Sequence, residues 1–138
     1  MELEPYLHFN GNCEEALNFY KGIFGGEITS LNRYAGSPME ANMPAEHRQR
    51  IMHANFKSPT LKFMGADGMS ESQAAKAADS RISLSLGTSD EKEAERVFNA
   101  LAAGGSVDMP LQDTFWGAKF GTLTDKYGID WMINCQKS

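Results

Sequence analysis

The 138 residues amount to one domain's worth of chain, and with 41% apolar and 22% charged residues a packed core is expected and disorder is not. Acidic residues outnumber basic ones for a net charge of −5 at pH 7, and with no basic cluster anywhere, nucleic acid and anionic membranes are excluded as partners. No apolar run approaches the ~20 residues of a bilayer crossing, and the start MELEPYLHFN has no basic stretch or greasy segment of a signal peptide, so a cytoplasmic location is expected. Two cysteines, Cys13 and Cys135, have neither zinc-site spacing nor the number for a disulfide framework, and read as reduced thiols.

In chain order, Pro5 to Phe9 alternates with the period of a strand, and a helix follows over about 13 to 24. Three strand segments come next: Glu27 to Tyr34, Arg50 to Lys57 and Thr60 to Gly65. Ala35 to Gln49, with Met39, Met43 and His47, is long enough for a lid or an interface arm. The small, polar stretch Gly68 to Ser80 reads as a crossover and not as a domain boundary. The same order then returns: a strand over Arg81 to Leu86, a helix over about 90 to 103, and strands over Ser106 to Met109, Lys119 to Thr124 and Ile129 to Asn134.

The return is visible in the residues themselves. Glu15 to Gly26 lies over Glu93 to Gly104 at a constant offset of 78, with matched apolar positions at Phe19/Val97, Tyr20/Phe98 and Ile23/Leu101. Glycine pairs close both helices, and Asn12 and Asp90 stand where their side chains would cap the starts. Cys13 falls at a helix start, where the dipole would lower its thiol pKa. The chain is therefore expected to be α+β, one domain over 1–138 built of two βαβββ modules, about 1–67 and 81–138, joined by the crossover 68–80, with mixed sheets curled into a half-open barrel.

Strand parity assigns the faces. Leu7 and Phe9, the set Met52, Ala54 and Phe56, the set Ile82, Leu84 and Leu86, and the set Ile129, Trp131 and Ile133 are expected under the helices. The opposite face then collects Tyr6, His8, Ile51, His53, Asn55, Ser83, Ser85 and Met132, a polar set on an apolar wall of the kind that lines small-molecule sites. No glycine frame surrounds Ser83 or Ser85, so a serine nucleophile is not supported, and no catalytic residue is assigned.

Pro5-Tyr6-Leu7, Gly11-Asn12-Cys13-Glu14-Glu15-Ala16, Phe19-Tyr20, Phe24-Gly25-Gly26-Glu27, His53-Ala54, Asp113-Thr114-Phe115-Trp116-Gly117, Phe120-Gly121, Thr124-Asp125 and Gly128 resemble the PhnB-like branch of the vicinal oxygen chelate superfamily, which includes glyoxalase I, extradiol dioxygenases and bleomycin-resistance proteins. The resemblance runs from about residue 4 to 134. It implies a glyoxalase-like fold and, in the superfamily's enzymes, a divalent metal held by two ligands from each module. Of those four positions only His53 carries a ligand; Ser83 and Met132 replace a histidine and a glutamate, and a thioether suits hard metals poorly. His8 lies nearby, yet the acidic partner is missing.

A small-molecule pocket is therefore expected on the concave sheet face, with no metal and no other cofactor, built by parity on His53, His8, Asn55, Ser83 and Ser85, with Trp116 or Phe120, placed there by the resemblance, as an apolar wall. The alternatives are a divalent-metal lyase, isomerase or dioxygenase, and a structural or partner-binding dimer. Relatives' names that imply phosphonate metabolism or ubiquinone methylation find no support, because the glycine pairs end helices instead of following strands, and Arg33, Arg48, Arg50 and Arg81 are not clustered. A homodimer is expected, since open sheet edges and Met39, Met43 and Met69 are surface to cover.

Overall fold

The apolar stripe of the first helical segment has one physical outlet, the face of a sheet. In the computed structural model, which describes residues 1–68 and 82–136, that segment is α1 (Cys13–Phe24), and it buries Cys13, Ala16, Leu17, Tyr20 and Ile23. The chain divides into two compact units between residues 80 and 81. In the first, α1 lies between β1 (Tyr6–Phe9) and the run β2 (Glu27–Arg33), β3 (Ile51–Lys57) and β4 (Lys62–Asp67). Their sheet has the order β1-β4-β3-β2, parallel at β1–β4 and antiparallel elsewhere. Its core holds Tyr20, Leu17, Phe56 and Phe63, with Phe56 stacked on Phe63 at 4.7 Å and Tyr20 edge-on to Phe63 at 5.8 Å.

The second unit repeats this plan with β5 (Leu84–Thr88), α2 (Glu91–Ala102), β6 (Ser106–Asp113), β7 (Ala118–Thr124) and β8 (Asp130–Gln136). The order is β5-β8-β7-β6, again parallel only at the first pair. Trp131, Ile133, Leu123, Phe98 and Leu101 form its core. Each unit is thus a βαβββ module of the α+β class with a mixed, four-stranded sheet, as the repeat predicts. Among the described residues, no helix is long and apolar enough to cross a membrane.

The glycine pairs make the repetition three-dimensional. A Cβ on Gly26 would run into the Lys57 carbonyl and Ser58, and one on Gly105 into the Thr124 carbonyl and Asp125. In both modules, then, the chain leaving the helix passes against the turn joining the last two strands, and only a residue without a side chain can pass. Those turns are tied alike, Ser58 Oγ accepting from Leu61 N at 3.0 Å and Asp125 Oδ1 from Tyr127 N at 2.8 Å.

Several expectations need correction. The strand opening the second module starts at Leu84, so Ile82, expected under α2, lies outside it and is 75% exposed. β4 starts at Lys62 and not at Thr60, because Ser58 to Leu61 is spent on the turn. Ile129 is only half-buried and precedes β8, while Cys135 takes up the apolar alternation at its far end. β6 runs on past Met109 to Asp113, through Pro110, which an edge strand tolerates because its missing N–H can face away from the ladder. Asn12 makes no side-chain cap on α1, whereas Asp90 accepts from Lys92 N and Glu93 N at 3.0 and 3.2 Å. The long loop after β2 folds into two single 3-10 turns, Glu40–Asn42 and Ala45–His47, and buries Met43 in its own unit, so that methionine is not surface to be covered. The crossover 68–80, apart from Gly68, lies outside the described residues, as do Met69 and Arg81.

Candidate functional site

The face of the first sheet opposite α1 is assembled by two cross-strand rows. Tyr6 pairs with Met64, Met64 with Asn55, and Asn55 with Ser30; His8 pairs with Ala66, and His53 with Asn32. Alternation carries these side chains out because Leu7, Phe9, Ala54, Phe56 and Phe63 point in. Tyr6 and His8 stack, with ring centroids 4.7 Å apart and planes 6° from parallel, and Tyr6 meets His53 edge-on at 5.6 Å. His53 Nε2 lies 3.3 Å from Met64 Sδ, and Asn55 Nδ2 donates to Ser30 Oγ at 2.8 Å. Burial chiefly, and the nearby Cys13 second, push the Tyr6 phenol above its ordinary pKa, so it stays a neutral hydroxyl.

Parity thus brings Tyr6, His8, His53 and Asn55 together. Ile51, expected beside them, is buried at 1% exposure. The pairing slips between Asn32 and Arg33, leaving Met52 as an extra residue, and this bulge turns Ile51 into the core, where its amide donates to Asp67 Oδ2 at 2.9 Å. Met64 and Ser30 were missed, although the alternation Phe63, Met64, Gly65 in β4 contains the signal for the first.

The other candidates belong to the second unit. Ser85 pairs with Met132, and Met132 with Thr122; Phe120 pairs with Asn134. Ser83 precedes β5 and is exposed. Trp116 sits in the turn between β6 and β7, edge-on to Phe120 at 6.0 Å and to the almost fully exposed Phe115 at 5.0 Å.

Behind the first sheet, Asp67 organises the start of α1. Its Oδ1 accepts from Gly11 N and Cys13 N, both at 2.9 Å, doing from 54 residues away what Asn12 does not do locally. The Cys13 thiol is pushed up to about 12, first by burial, then by Asp67 and Glu14. This reverses the expected effect of the helix dipole, because the dipole's donors are already spent on a carboxylate.

A family model described as 3-demethylubiquinone-9 3-methyltransferase matches residues 1–134. The chain belongs to this family. Protein YjdN of Escherichia coli K12 is 36% identical over 99% of this chain and 97% of its own length. The crystal structure of protein PA1353 from Pseudomonas aeruginosa is 40% identical, with a TM-score of 0.84 over 100% of this chain and 99% of that one. A Bacillus cereus structure whose title joins 3-demethylubiquinone-9 3-methyltransferase with PhnB is 29% identical, with a TM-score of 0.76 over the whole of both chains. The fold is also that of a glyoxalase/bleomycin resistance protein/dioxygenase family enzyme from Burkholderia phytofirmans, at 14% identity, a TM-score of 0.60 and coverage of 94% and 95%. The PhnB-like assignment and the vicinal oxygen chelate fold are thereby established.

Neither cofactor that these relationships bring to mind fits the residues present. A divalent ion of the glyoxalase kind needs a carboxylate beside its histidines. Around His53 the neighbours are Met64, Tyr6 and Asn32, and among the described residues no three His, Cys, Asp or Glu side chains gather as ligands. A nucleotide-like methyl donor wants free amides at a strand-to-helix turn. Here Asp67 occupies those of α1 and Asp90 those of α2, and both place negative charge where an anionic group would have to sit.

Proposed function

We propose that this PhnB-like protein binds a small organic molecule on the outer face of its first sheet, with His53 at the centre. The observation that supports this reading is the gathering, from three strands, of Tyr6, His8, His53, Met64 and Asn55 on a face that the helix does not use. Stacked rings supply contact area, while the imidazole and the amide supply direction. A ligand-library thermal-shift screen on the full chain tests it, since a ligand at 100 times its Kd adds about 2.7 kcal/mol of stability. His53→Ala is expected to abolish the shift while leaving the unliganded melting temperature within a few degrees. A screen without hits, or hits indifferent to His53→Ala, would overturn the reading.

The same protein is proposed to work as a homodimer. What favours this is the apolar surface left open in the second unit, where Phe115 is 97%, Trp116 52%, Val107 47% and Met109 46% exposed. Sedimentation equilibrium is expected to give twice the 15.2 kDa of one chain, and a mass of one chain at micromolar concentration rejects it.

A further inference from the structure

The outer face of the first sheet is selective in what it leaves out. Its row Tyr6-Met64-Asn55-Ser30 and its pairs His8-Ala66 and His53-Asn32 contain no carboxylate, ammonium or guanidinium. Arg33 reaches back to Glu14 of α1 at 2.9 Å and Asp67 to the amides at the start of that helix, while Lys57 and Lys62, paired with each other beyond Asn55 and Met64, put charge only at the end of the face away from His53. An ionic ligand centred on His8 and His53 would shed water with no counter-charge in that row or those pairs.

The hydrogen bonds within the face have a direction. A thioether sulfur carries no hydrogen, so the His53 tautomer that makes a hydrogen bond of the 3.3 Å contact with Met64 is the one in which Nε2 donates. In that tautomer the hydrogen sits on Nε2 and Nδ1 is left as a lone pair. In the neighbouring pair, the Asn55 amide donates one hydrogen to Ser30 Oγ, which leaves its second N–H and its carbonyl oxygen. His53 Nδ1 is thus the acceptor at the centre of the face, and a partner placed on it brings the hydrogen. Beside them, the Tyr6–His8 stack presents ring surface, and aromatic rings pair best with other rings, stacked or edge-on.

We propose that this face takes an uncharged aromatic molecule carrying a hydroxyl or ring N–H, which donates its hydrogen to His53 Nδ1. The proposal rests on the small-molecule reading above and specifies the class of molecule. Its test uses three matched probes on the full chain: phenol, which has the ring and the donor; anisole, which has the ring alone; and benzoate, which has the ring and a charge. Long-range proton–nitrogen spectra of the histidine rings report the result, with His47, on the loop between β2 and β3, as internal reference.

Before any probe is added, His53 is expected to show the Nε2–H tautomer; the Nδ1–H tautomer would overturn the proposal. Phenol is expected to shift the His53 Nδ1 signal and to bind about 3- to 10-fold more tightly than anisole, the worth of one hydrogen bond. Benzoate is expected to bind more weakly than either. Equal binding of phenol and anisole would remove the donor requirement, and preference for benzoate would remove the requirement for neutrality. If none of the three moves His53, the aromatic class itself is wrong. Any of these results leaves the small-molecule reading intact so long as the library screen still returns ligands that depend on His53, so the two ideas fail separately.

Discussion

The two modules share a backbone plan and differ in how they secure it. In the first, α1 starts on a carboxylate from the far end of the sheet, Asp67, which holds Gly11, Cys13 and Ile51 amides at once. In the second, α2 starts on its own neighbour, Asp90, and the sheet position corresponding to Asp67 is a cysteine: Phe9 pairs with Asp67, but Thr88 pairs with the buried Cys135. Their outer faces differ as well, one carrying Tyr6, His8 and His53, the other Ser85, Met132 and Thr122. What is common to both is what the chain path demands, above all the glycine that passes the last turn. What differs is side-chain chemistry, which each module was free to vary once the path was satisfied.

The largest expected effect tests the contrast in capping. Asp67→Ala strips three backbone amides of a charged acceptor, two of them buried, and is expected to cost about 3 to 5 kcal/mol in denaturant unfolding. Asp90→Ala, which removes an exposed local cap, is expected to cost about 1 kcal/mol. Equal costs would break the comparison.

Next in size are the passing glycines. Gly26→Ala and Gly105→Ala both force a Cβ into backbone, and each is expected to lose about 2 to 4 kcal/mol. Gly25→Ala, at φ 73 with open space around its Cβ, should cost only about 1 kcal/mol. Should Gly105 tolerate alanine while Gly26 does not, the modules would be alike in outline only.

The last effect, absent at neutral pH, belongs to Cys13, a thiol for which the second module has no counterpart at its helix start. Its pKa rises from 9.0 to about 12 on folding, so above pH 9 the unfolded chain gives up a proton that the folded chain keeps. The contribution is therefore complete below pH 9 and is lost as the pH climbs toward 12, at no more than about 1.4 kcal/mol per pH unit. Compared with Cys13→Ala, the protein is expected to lose stability more steeply across that window; parallel curves would place the thiolate in contact with water.

Much of this molecule was legible in its sequence because the repeat is written in local spacing. The offset of 78 located both helices to within one or two residues, and period-two alternation put Leu7 and Phe9 inward and Tyr6 and His8 outward. The resemblance carried by many short motifs led to the right family. Short-range pattern suffices for such features because helix and strand periods are properties of consecutive residues.

Tertiary structure alone decided the rest, and for one reason: each remaining feature depends on a partner distant in the chain. The bulge that turns Ile51 inward arises in pairing with β2, on the far side of a loop. Asp67 reads as one more acidic residue near the end of a strand until the fold sets it under Gly11 and Cys13, where it displaces Asn12 as the cap and, after burial, helps raise a thiol pKa that the helix start was expected to lower. The sulfur that meets His53 stands on the adjacent strand, 11 residues along, so the neighbours of that ring are set by register and not by motif.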